Sequence, residues 1–180
     1  MLKNSLTVKY EMSAMPSVDG VEGCISIMTA KLVDSETEST VASCEVYFAD
    51  FLNAMSITDC HDLLDVDGVT YEFVGLFKSD FELTYELAEK LDYFLPVNRL
   101  VVIHSLKVPK EHRGNKLSQM LIEDIERRFV QDTDLLALKA FPFENRTPET
   151  IEGLARYYES INFKRTGVNN ILVRSEYLNG

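Results

Sequence analysis

At 180 residues the chain has the length of one domain, spanning 1–180, with a core large enough to fold alone. An apolar fraction of 46% and a charged fraction of 26% are ordinary for a globular protein in water, and no apolar run approaches the roughly 20 residues that cross a bilayer. A net charge of −11 repels polyanions and argues against broad nucleic-acid binding, although it leaves room for a local positive site.

The first segment, residues 1–6, lacks the apolar stretch of a signal peptide, so the expected location is cytoplasmic, with no membrane partner. Residues 6–12 alternate apolar and polar, as a half-buried strand does. A turn-rich stretch follows at 16–20, then two β-prone segments, 21–32 and 40–48, joined by the polar connection 34–39. These predict an antiparallel meander. Residues 49–64 have room for one or two short helices, 65–68 form a turn, and 69–76 read as a strand. Leu83, Leu87, Leu91 and Phe94 recur at helical spacing, which predicts a helix over 80–94 closed by Pro96. Cys24, Cys44 and Cys60 are odd in number and far apart, with no C-x-x-C pair, and read as free buried thiols.

The second half has stronger periodicity. Residues 99–108 are almost continuously apolar, as in a strand near a sheet centre. A basic loop follows, with Lys107, Lys110, His112, Arg113 and Lys116. A helix is predicted over 115–130, its inner face formed by Leu117, Leu121, Ile125 and Phe129. Then come a buried strand at 134–141, a helix at 148–161 with Pro148 in its first turn, and short strands at 163–166 and 170–175. The expected architecture is α+β, with helices flanking a mixed central β-sheet. A strand, a basic loop and a helix in that order aim a helix N-terminus and its free N–H groups past the strand end. That is a site for an anion, most naturally a phosphate or pyrophosphate. No metal-ligand spacing is visible.

Two stretches carry a family resemblance. The first is Val108-Pro109 followed by Arg113-Gly114, with Lys116 and Ser118 at the two small-residue positions of an R-G-x-G-x-G/A loop. The second is 154–163, with Tyr158 and Phe163 in register, Tyr157 in place of Leu and Asn162 in place of Gly. In this order, with a strand between them, they resemble the GNAT superfamily of acyl-CoA-dependent N-acetyltransferases.

The resemblance implies a GNAT-like sheet whose two central parallel strands, 99–108 and 134–141, splay apart. It also implies acetyl-CoA as acyl donor, without a metal. The pantetheine arm would lie along Leu106, Lys107 and Val108, and the pyrophosphate would meet Arg113, Gly114, Asn115, Lys116, Leu117 and Ser118 at the helix start. Asn145 would contact the pantetheine. Tyr158 falls where family members protonate the departing thiolate. His104 matches a histidine that removes a proton from the amine in the serotonin N-acetyltransferase branch, and imidazole chemistry suits that work. Glu72, acting through water, is an alternative base. His104 and Val108, four residues apart in one strand, are expected on one face. Tyr157 is expected to point elsewhere and pack. The acceptor would be a small-molecule amine or a lysine or N-terminal amine of a protein. The acidic surface favours a cationic one, and the family allows a homodimer. Tyr47, Phe48, Phe51, Tyr71 and Phe73 are acceptor-pocket candidates with ordinary packing as the rival role. Lys116, Ser118 and Asn162 depart from the family pattern. They support an alternative: a module of the same fold that binds CoA or a protein partner without turnover.

Overall fold

The structure is a computed structural model that describes residues 5–14, 23–54 and 59–175. Seven strands make one mixed sheet in the order β1-β2-β3-β4-β5-β7-β6. They are β1 (Leu6–Ala14), β2 (Ile25–Asp34), β3 (Thr40–Asp50), β4 (Arg99–Lys107), β5 (Asp134–Lys139), β6 (Lys164–Arg165) and β7 (Ile171–Arg174). The helices are α1 (Cys60–Leu64), α2 (Gly68–Tyr71), α3 (Tyr85–Leu91), α4 (Leu117–Phe129) and α5 (Pro148–Glu159). The protein is thus α+β, with helices flanking a mixed sheet. Among the described residues, no helix is long and apolar enough to cross a membrane.

The meander β1-β2-β3 is antiparallel, and the Asp34 carboxylate shapes its polar connection by accepting the N–H groups of Glu36 and Thr37. β4 adds antiparallel to β3, and the α4 crossover returns the chain to β5, parallel to β4. β4 and β5 pack on both faces, which explains their unbroken apolar runs. Leu100, Val102, Leu135 and Ala137 join Leu63, Leu64, Phe73, Leu76, Leu87 and Leu91 on the α1–α3 face. Val101, Ile103, Leu136 and Leu138 join Leu117, Leu121, Ile122, Ile125 and Tyr158 on the α4–α5 face.

Three expectations are corrected. Residues 69–76 are not a strand but α2 and a 3-10 turn at Val74–Leu76. Asp67 caps α2 by accepting the Val69 N–H at 2.7 Å, and the buried Thr70 hydroxyl donates to the Leu64 carbonyl at 2.8 Å. These local bonds outweigh the β-propensity of Val69 and Thr70. The helix expected over 80–94 is shorter and ends where Asp92 turns left-handed (φ 54°), before Pro96. Phe94 consequently lies outside it, 66% exposed. The α4 face buries Ile122 together with Leu117, Leu121 and Ile125, while Phe129 is half-buried against Tyr10 and Phe48. Cys24, Cys44 and Cys60 are free and buried, and burial pushes the Cys44 and Cys60 thiols up to about 12. The expected turn at 16–20, the first two residues (21–22) of the expected strand and residues 55–58 of the expected short-helix stretch lie outside the described residues.

Candidate functional site: a cavity where two parallel strands part

The β4–β5 ladder pairs Arg99 with Asp134 through Ile103 with Leu138 and stops there. β4 continues through His104, Ser105 and Leu106 to Lys107, with its β5 side unpaired, while β5 ends at Lys139. A cavity of about 1210 Å³ opens at this point, lined by residues 103–110 on one side and by Lys139 and 141–144 on the other. It is larger than a typical small-ligand pocket of about 300–1,000 Å³, so it has room for an extended ligand.

A β-bulge shapes the β4 wall. Ser43 pairs with Lys107 and Glu45 with His104, so β4 carries one more residue than β3 over that interval. Ser105 absorbs it at φ 52°, a left-handed conformation uncommon outside glycine. The bulge reverses side-chain alternation. His104 stays on the α1–α3 side, its ring edge-on to Tyr47 at 6.0 Å, while Leu106 and Val108 pack against the α4–α5 core. His104 and Val108 therefore do not share a face, because the extra residue shifts the parity between them.

The start of α4 forms another part of the wall. Gly114 (φ 83°) and Lys116 (φ 58°) both turn left-handed, and no side chain caps the helix. Its first N–H groups are thus not claimed by a capping side chain among the described residues. Arg113, Gly114, Lys116, Leu117 and Ser118 line the cavity, as do Leu106, Lys107, Val108, His104 and Tyr158. Asn115 and Asn145 do not. The Asn115 amide donates to the His112 carbonyl, and Asn145 sits at φ 50° in the turn before α5, with its carbonyl accepting the Thr147 N–H. Turn formation accounts for Asn145. The basic loop already holds one acid: Glu144 meets Lys110 at 3.0 Å and Arg113 at 3.8 Å, and Lys110 holds its carboxyl below the usual range.

α5 supplies two tyrosines. Its N-cap Thr147 and Thr150 form a reciprocal capping box, which fixes the helix start and so the azimuth of its inner face. Tyr158 on that face is 6% exposed, and its hydroxyl bonds no described residue, yet it is not sealed off. Burial raises this phenol above the ordinary tyrosine value, with Tyr157 and Cys44 adding to the shift. Tyr157 does not point away, as the helical spacing predicts. It lines the same cavity, and its hydroxyl and that of Ser118 are 2.7 Å apart. The two residues thereby couple the start of α4 to the last turn of α5.

Lys139, Phe141, Phe143 and Arg146, which no motif singles out, close the β5 side. Their one local signal is an aromatic pair around Pro142 directly after a buried strand. Phe73 lines the cavity too, whereas Tyr47, Phe48 and Phe51 are core residues and Tyr71 is 56% exposed. Glu72 lines it with its carboxylate ion-paired to Lys139. Among the described residues, no three His, Cys, Asp or Glu side chains converge as metal ligands. No family model matches the chain, and no curated protein matches it.

Proposed function

We propose that this protein is an N-acetyltransferase of GNAT type that moves the acetyl group of acetyl-CoA directly onto a primary amine. The observation that carries the proposal is the cavity where β4 leaves β5, beside the uncapped start of α4. In this reading the two strands are the splayed pair of that fold. The pantetheine adds to the free edge of β4 at Leu106, Lys107 and Val108 by backbone hydrogen bonds, and the pyrophosphate rests on the N–H groups of the α4 start. The bulge at Ser105 takes backbone N–H groups out of the ladder, where they can polarise the thioester carbonyl.

The acid and base fall on opposite faces of the sheet. The neutral amine attacks the carbonyl carbon, and the C–S bond breaks. The sulfur takes the phenolic proton of Tyr158, whose hydroxyl has no partner among the described residues, and the surplus proton of the amine passes to His104. Tyr158 then regains a proton from solvent, and His104 returns its own to solvent. Without a bound acceptor, the Glu72 carboxylate is ion-paired to Lys139.

A titration with acetyl-CoA tests the reading. At about a hundred times Kd it should stabilise the fold by about 2.7 kcal/mol, and thiol release should require an added amine. No shift in Tm at any concentration would overturn the proposal. Glu144 supplies a second test. Its carboxylate occupies the loop that the phosphates would use, so Glu144→Gln should tighten CoA binding roughly two- to fivefold at low salt, and less at high salt. Calorimetry showing unchanged or weaker binding would mean that the phosphates lie elsewhere.

A second reading is a module that binds CoA, or a protein partner, without turnover. It draws on the Ser118 hydroxyl being engaged by Tyr157, and on Lys116 standing where a small residue is expected. Such a module would show the acetyl-CoA shift and no thiol release with any amine.

A further inference from the structure

The part of the cavity wall contributed by α2 and β5 carries both signs of charge. Glu72, at the end of α2, is ion-paired with Lys139, the last residue of β5. Both are partly exposed, at 41% and 31%. The Lys139 ammonium also lies 5.4 Å from the centre of the Phe141 ring, and the Arg146 guanidinium lies 4.3 Å from the same ring. Arg146 lines the cavity and has no acidic partner among the described residues. One exposed aromatic ring thus gathers two cations at the cavity, one of them without an acidic partner among the described residues.

Resting on the acetyl-transfer reading, we infer that the acceptor is an amine that also bears a carboxylate, as a free amino acid does, with Lys139 and Arg146 receiving the carboxylate. A guanidinium stacked on a ring is held flat and weakly hydrated, and its fork of donors matches a carboxylate. When that carboxylate engages Lys139, Glu72 is released to face the ammonium of the same ligand, which gives one proton to solvent before its neutral amine attacks. The internal ion pair is exchanged for intermolecular ones, and the net charge of the wall stays the same. A monocation or polyamine fares worse, because it meets Lys139 and Arg146 as like charges and finds Glu72 already taken. The overall charge of −11 favours cations at long range, but these groups decide at contact distance. Phe73 and the Phe141 ring offer an apolar surface to the rest of the acceptor.

The test uses the whole protein with acetyl-CoA and matched acceptors: L-phenylalanine, L-leucine and L-glutamate, each against its decarboxylated amine. Thiol release is followed, and kcat/KM is expressed per unprotonated amine so that differences in basicity drop out. At least one amino acid is expected to exceed its decarboxylated partner by about tenfold or more. Arg146→Gln is expected to collapse that ratio toward one, acting mainly through KM. Lys139→Met serves as a second variant with the same expectation. Decarboxylated amines that are equal or better throughout would overturn the inference, as would an Arg146→Gln protein that keeps the ratio. An acetyl-CoA melting shift on the same preparation separates the two failures. A shift with turnover of the decarboxylated amines removes only the carboxylate requirement, whereas no shift and no turnover removes the acetyltransferase reading with it.

Discussion

Replacing Tyr158 by phenylalanine is expected to slow acetyl transfer roughly a hundredfold or more, the scale of losing a general acid, with acetyl-CoA binding retained. The ring is 6% exposed and packs beside Tyr157 and Phe163, so phenylalanine keeps the packing. The hydroxyl bonds no described residue, so no partner among them is orphaned and stability should move by less than about 0.5 kcal/mol. The pH profile adds a second readout. Burial raises the phenol above its ordinary value, so the group keeps its proton as pH rises through the range where an exposed tyrosine ionises. The wild-type rate should therefore show no alkaline fall assignable to this residue up to about pH 10. A Tyr158→Phe protein with an undiminished single-turnover rate would remove this residue from the chemistry. Tyr157→Phe would then be the next variant to make, since that hydroxyl lies in the same cavity, 2.7 Å from the Ser118 hydroxyl.

The largest expected loss of stability comes from the closed end of the same strand pair. Asp134 is 2% exposed, and one of its oxygens accepts from Arg99 at 3.1 and 2.5 Å and from the Gln131 N–H at 2.9 Å. Arg99 also donates to the Phe129 carbonyl at 2.5 Å and lies over the Phe48 ring. One ion pair therefore ties the starts of β4 and β5 to the end of α4. Asp134→Ala leaves a largely buried guanidinium without its counter-charge and strips the Gln131 N–H of its acceptor. A cost of about 3 kcal/mol follows, or about 6–12 °C in Tm for a domain of this size. Asp134→Asn, which can still accept from Gln131, should cost less. Urea unfolding with an unchanged m-value checks both variants. A loss under about 1 kcal/mol for Asp134→Ala would show that this pair does not anchor the strands.

These two sites lie at opposite ends of the β4–β5 pair, and they differ in how far the sequence foretells them. The β4-loop-α4-β5-α5 order is legible because each element carries its own periodicity. A strand buried on both faces must be continuously apolar, and a helix on a sheet must repeat every three to four residues. The basic loop at the helix start is legible for the same local reason. Residues 69–76 carry propensity without periodicity: Val69 and Thr70 favour strands, and the cap from Asp67 with the bond to Leu64 decides otherwise.

The sequence shows chemistry-bearing residues one at a time, and their meeting is a property of the fold. The shift of His104 away from Val108 depends on one surplus residue of β4 measured against β3, a strand more than fifty positions earlier. The Glu72–Lys139 pair joins residues 67 positions apart. Tyr157 reaches Ser118 because α5 packs beside α4, which no pattern within either helix records.

From the amino-acid order alone came the succession of strands and helices, the inward stripe of each and the basic turn at one helix start, because such features need only neighbours a few positions away. Folding in three dimensions decided where the central ladder ends, which way β4 turns its side chains past Ser105 and which distant charges share the cavity. Those outcomes depend on register between strands remote along the chain, and a slip of one residue sends every later side chain to the other face.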